Sequence, residues 1–147
     1  MLFAFSLSEP VLAASRKPFQ VADVFLGASA LRREGVPGFL YLTFGGPEET
    51  PASVEETISE IPRLRSAYTL VDHGFRVQPG TALRERAVAE GAISPENDCF
   101  KATFYHSPHT SAEVLDARLR RFNRENRWGK PAALAYMARL AWDKLRP

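Results

Sequence analysis

The sequence predicts an α/β fold, and three observations carry that reading. The stretches Phe44-Gly45-Gly46-Pro47-Glu48-Glu49-Thr50 and Gly74-Phe75-Arg76-Val77-Gln78-Pro79-Gly80-Thr81 each pass from an apolar run through glycine and proline to a threonine. A helical pattern follows each of them, so each reads as a strand, a turn and a capped helix. Along the whole chain, apolar runs alternate with helix-period segments in the order β, α, β, α, β, α, then a loop and two helices. In such folds ligands bind at the turns that follow the carboxyl ends of the strands.

The elements follow in order. Residues 2–5 are a short apolar strand, and Ser8 is placed to cap a helical turn through Val11 and Leu12. Lys17-Pro18 is a break. Over residues 19–34, Val21, Val24, Phe25, Ala28 and Leu31 recur at helical spacing, Arg32 and Arg33 suit the last turn, and Gly35 ends the helix. Residues 38–44, GFLYLTF, form a continuous apolar run between glycines, as expected of a parallel strand buried on both faces. Thr50-Pro51 then starts a helix, with Glu55 and Glu56 in its early turns and Pro62 limiting it near Ile61 or Leu64. Tyr68 to Val71 and Phe75 to Val77 read as one strand with a bulge or kink near Gly74. Thr81 caps a helix that Gly91 closes, residues 92–110 read as loop, and helices are expected at about 111–125 and 132–145.

Composition places limits on function. A chain of 147 residues suggests one domain, and one large enough to bury a core. The net charge of +2 gives no reason to expect nucleic acid or membrane as a partner. Residues 1–110 hold 10 Lys/Arg against 13 Asp/Glu, whereas residues 111–147 hold 9 against 4. That basic end reads either as a solvated helix face or as a contact for an acidic partner. Cys99 is the only cysteine, so no internal disulfide forms, in keeping with a reducing cytoplasm. One thiolate is also too few to hold an iron–sulfur cluster. The first fifteen residues are apolar but have no Lys or Arg near their start, and Glu9-Pro10 interrupts them, so a signal peptide is not expected.

Several residue groups offer chemistry, each beside a plainer role. The Gly45-Gly46 turn allows close approach to a phosphate or nucleotide, yet it matches neither the dinucleotide fingerprint nor the Walker pattern, and a plain tight βα turn fits it better. Glu48 and Glu49 suit a cation or amine, or simply the positive end of the following helix. His73, His106 and His109, with Asp72 or Asp98, suggest metal ligands, although a structural role fits better. No nucleophile elbow is present, and Cys99 lies in a polar loop with no nearby basic residue except Lys101.

Longer stretches resemble a known family. FLYLTFGGPEETPASVEE, residues 39–56, resembles the radical SAM barrel strand and turn written as an apolar run, F-G-G-P-G-E-T and a helix. Residues 74–81 resemble that family's G-I-R-I-Y-P-G-T turn, ALRERAVAEGAI the helix after it, and Phe104-Tyr105-His106-Ser107-Pro108 its F-Y-x-S-P. Ser6 to Leu12, with Lys17-Pro18-Phe19, is similar to the segment before the first of these strands. The resemblance covers roughly residues 6–110 and is closest to the members that often carry a cobalamin-binding domain.

The resemblance implies a partial (β/α) barrel, here a half-barrel corresponding to the carboxy-terminal part, followed by two carboxy-terminal helices. Residues 1–110 would be the barrel part and residues 111–147 a basic helical extension. It implies cofactor-binding residues at Gly45, Gly46, Pro47 and Glu49, with Glu48 standing where the family has glycine. Arg76, Pro79, Gly80 and Thr81 would face substrate. The family's three cluster cysteines are absent, so S-adenosylmethionine and the [4Fe–4S] cluster are expected only in a complete member. No cofactor is expected to bind this chain alone, no catalytic residue is assigned, and no independent activity is expected. Half a barrel leaves sheet edges open, so a homodimer or a partner chain is expected to cover them. The alternatives are a substrate-side subunit completing an enzyme with a partner chain, a non-catalytic interaction module using residues 111–147, and a stretch of a longer enzyme.

Overall fold

The computed structural model describes residues 2–65 and 68–125. The helix expected at 132–145 lies outside them. The elements run β1 (Leu2–Phe5), α1 (Glu9–Ala14), α2 (Val21–Arg33), β2 (Phe39–Phe44), α3 (Pro51–Leu64), β3 (Tyr68–His73), β4 (Phe75–Arg76), α4 (Ala82–Ala89), β5 (Phe104–Tyr105) and α5 (Ala112–Glu125).

β1, β2 and β3 form a parallel sheet in that order, as successive strand–helix units require. Alternation along β2 sends Leu40, Leu42 and Phe44 into one core with Val24 and Ala28 of α2, Val54, Ile58, Ile61 and Leu64 of α3, and Leu115, Leu119 and Phe122 of α5. The helices therefore cover one face. Across the other face the register aligns Phe3, Tyr41 and Leu70 in one row. There Phe3 is 56% and Leu70 47% exposed, so this parallel sheet is covered on one side only among the described residues. The architecture is compatible with a partial barrel, and the three strands do not close on themselves.

The caps account for the helix starts. Thr50 accepts from Ser53 N at 3.2 Å while Ser53 Oγ accepts from Thr50 N at 3.0 Å, and Pro51 takes the first helical position. α3 continues through Pro62 to Leu64 before Arg65 ends it in a left-handed conformation. Ser8 holds the cap position of α1 but makes no capping bond, and its buried hydroxyl has no partner.

The stretch expected to be a single kinked strand is two strands in two sheets. Gly74, at φ +87°, donates to the Phe44 carbonyl at 2.8 Å and turns the chain out of the parallel sheet. β4 then pairs antiparallel with β5, which lies inside the segment expected to be loop. Val77, Ala87, Ile93, Cys99 and Tyr105 close a small second core behind this ribbon. Cys99 is thus 3% exposed and packed among apolar groups rather than lying in a polar loop.

Candidate functional site

The turn after β2 is built on two glycines. A Cβ on Gly45, at φ +87°, would lie 3.0 Å from His106 Cδ2, and one on Gly46 would lie 2.8 Å from Phe75 Cζ. Only bare backbone passes between these rings. Glu48 follows at φ +60°, keeping the left-handed turn where the family resemblance places glycine. Its carboxylate pairs with Arg86 of α4.

Glu49 points inward and is fully buried. Its Oε2 accepts from the N–H groups of Gly45 and Gly46, the latter at 3.1 Å, while Oε1 has no partner. Desolvation outweighs those two bonds and pushes its carboxyl up to about 7. Its main-chain carbonyl accepts from Ser107 Oγ at 2.8 Å and from Thr110 Oγ1 at 3.0 Å. Ser107 N donates in turn to the Gly45 carbonyl at 2.9 Å. Glu49 is therefore the knot that ties the β2 turn to the segment after β5.

A pair of histidines sits behind the knot. His73 Nδ1 and His106 Nε2 are 3.1 Å apart, and Gly45 and Gly74 flank the His106 ring. Burial first, and the His73 charge second, lower the His106 pKa. Among the described residues no group of three His, Cys, Asp or Glu is placed to hold a metal ion. The pair therefore links the two sheets, and His109 does not join it.

In front of the knot lies a cavity of about 470 Å³ at the carboxyl ends of β1 and β2. Pro47 and Thr81, from the two turns singled out in the sequence, both line it. Phe75, from the second of those turns, Ala82 and Leu83 of α4, Phe5, Arg86 and the Ala14–Lys17 turn complete the wall, and the sequence patterns gave no reason to join Phe5, Arg16 or Arg86 to this site. Phe5 lies 5.9 Å from Phe75, ring to ring. Gly46 packs directly under Phe75, and Gly45 and Glu49 lie behind. Arg76, Pro79 and Gly80 are exposed and line no part of this cavity. Thr81 caps α4, its hydroxyl accepting from Arg84 N at 3.3 Å and donating to the Gln78 carbonyl at 2.8 Å.

The residues do not fit an iron–sulfur cluster. The chain has one cysteine, and that thiol is sealed in the small core, whereas such a cluster takes three or four thiolates. No helix among the described residues is long and apolar enough to cross a membrane.

No protein-family model matches the sequence, and no curated protein matches it. The fold is similar to a solved structure of the radical S-adenosylmethionine methyltransferase TsrM from Kitasatospora setae, which holds cobalamin and a [4Fe-4S] cluster. The TM-score is 0.54 and the identity 17%, over 74% of this chain and 23% of that one. This chain thus spans about a quarter of that enzyme's length, and what the two share is the α/β fold of that stretch.

Proposed function

We propose that these residues are the carboxy-terminal part of a radical-SAM-type barrel and supply its substrate side, without catalytic activity of their own. The cluster thiolates come from protein outside this sequence, either a partner chain or further sequence of the same polypeptide. One observation carries the reading: among the described residues a parallel βαβαβ sheet has helices on a single face and an aromatic row, Phe3 and Tyr41 with rings 5.5 Å apart, on the other. A parallel sheet buries both faces in a complete domain, so the bare face belongs against further protein. The similarity in fold to a radical SAM enzyme supports the choice of barrel. The two turns reach one cavity through Pro47 and Thr81, which supports a ligand at the strand ends.

Anaerobic reconstitution of the chain with iron and sulfide tests this. The expected result is no stable cluster and no cleavage of S-adenosylmethionine under reducing conditions. A cluster of four irons per chain that cleaves S-adenosylmethionine would overturn it.

A further inference from the structure

The 470 Å³ cavity carries an imbalance of charge that the fold does not use. Arg86 is committed, to Glu48 and to Glu90. Arg16 and Lys17 face no carboxylate within ion-pair distance among the described residues. Lys17 Nζ instead lies 3.2 Å from the centroid of the Phe5 ring. The π face takes up only the part of the ammonium turned towards it, so Lys17 keeps N–H donors for another group. Burial lowers the Lys17 pKa, a cost that an anion beside it would relieve. The dipole of α4, whose first residues Ala82 and Leu83 reach the cavity, adds the same sign.

The wall is also held in shape. Phe5 and Arg16 both take left-handed backbone, at φ 62° and 52°, which side-chain-bearing residues rarely adopt. Hydrogen bonds fix both turns: Ser6 N to the Ala4 carbonyl at 2.7 Å, and Lys17 N to the Leu12 carbonyl at 3.0 Å. The strain places the Phe5 ring opposite Phe75 and Lys17 over it, giving an apolar slot with a cationic end. The volume lies within the range of small-molecule sites, about 300–1,000 Å³.

We propose that this cavity binds a small organic anion with an aromatic body, its acid group against Lys17 and Arg16 and its ring beside Phe5 and Phe75. The site stands on this chain's own residues and does not require the barrel reading, so either can fail without the other.

Calorimetric titration of the full chain with 2-naphthoate, and with 2-naphthamide as the uncharged counterpart, tests it. The acid is expected to bind at least about tenfold more tightly than the amide, a difference of ~1.4 kcal/mol. Added salt should weaken the acid and leave the amide unchanged. Lys17→Met should raise the Kd of the acid about tenfold and Arg16→Met several-fold, roughly the scale of a lost charge-assisted contact. Arg33→Met, whose side chain pairs with Glu34 at the end of α2, should change nothing. A thermal melt of each variant checks folding, and the exposed Arg16 keeps the test open should Lys17→Met fail to fold. Equal affinity for acid and amide, no binding of the acid, or unchanged affinity in folded Arg16 and Lys17 variants would each overturn the proposal.

Discussion

Ser107 Oγ donates a 2.8 Å hydrogen bond to the main-chain carbonyl of Glu49, 58 residues earlier in the chain. Thr110 Oγ1 donates to the same oxygen at 3.0 Å. Both bonds are buried, and they hold the turn after β2 against the start of α5. Ser107→Ala leaves one bond on that carbonyl, so a loss of about 0.5–1.5 kcal/mol is expected in urea unfolding. Ser107→Ala combined with Thr110→Val strands the carbonyl, and the pair should cost more than the sum of the single changes.

Glu49 gives stability a pH dependence of defined sign. Its carboxyl is raised in the folded state from 4.5 to about 7, so the folded form holds the proton more tightly than the unfolded one. That contribution is complete below pH 4.5 and is lost as pH rises through about 7. Glu49→Gln keeps an oxygen for the Gly45 and Gly46 N–H groups and cannot ionise. Urea melts should show the parent losing on the order of 1–3 kcal/mol between pH 5 and pH 8 relative to this variant, following ~1.4 kcal/mol per pKa unit. Equal slopes in both proteins would mean that Glu49 does not titrate in that window.

His106 works in the opposite direction. Its pKa is lowered from 6.5 by burial and by His73, so the folded state holds that proton less tightly than the unfolded one. The contribution is complete above pH 6.5 and is lost as pH falls towards the folded-state value. Proton NMR should show the His106 ring titrating below pH 6.5, and below its position in His73→Asn, where the neighbouring charge is gone.

The glycines of the knot separate conformation from space. Gly45→Ala and Gly74→Ala each combine φ +87° with a Cβ at 3.0 Å from the His106 ring. Gly80→Ala has φ +70° but nothing within 4 Å of its new Cβ. The last should cost about 1–2 kcal/mol, the penalty of left-handed backbone alone, and the other two clearly more. Thermal melts of the three variants side by side give the comparison.

Much of this frame was legible in the chain. The glycine-bounded run of residues 38–44 marked β2, and Thr50-Pro51 and Thr81 marked two helix starts, because apolar period and capping chemistry are local. Tertiary contacts decided the rest. The bend near Gly74 was visible, but its passage into a second sheet depends on β5, and two residues are too short for a strand period to register. The acid at position 49 stood out, whereas its inward turn depends on Gly45, Gly46 and desolvation. The cavity joins Pro47 and Thr81 to Phe5 and Lys17, from segments far apart in the chain, and no motif spans that separation.

Glu48 holds a backbone conformation that glycine adopts more readily. It takes φ +60° where glycine would do so freely, and its side chain pairs with Arg86. Glu48→Gly relieves about 1 kcal/mol of backbone strain and forfeits a partly exposed ion pair worth about 0–1 kcal/mol. Its unfolding free energy should stay within about 1 kcal/mol of the parent. A loss well beyond that would place most of the turn's stability in the ion pair.

Under the proposed reading, further protein covers the face of the parallel sheet that is bare among the described residues. Native mass spectrometry of the protein taken from its own cells tests it most directly. The expected mass is above 16.4 kDa, as a longer polypeptide or as a complex of this chain with a second copy or a partner. A free monomer of 16.4 kDa with a sharp two-state melt would contradict it.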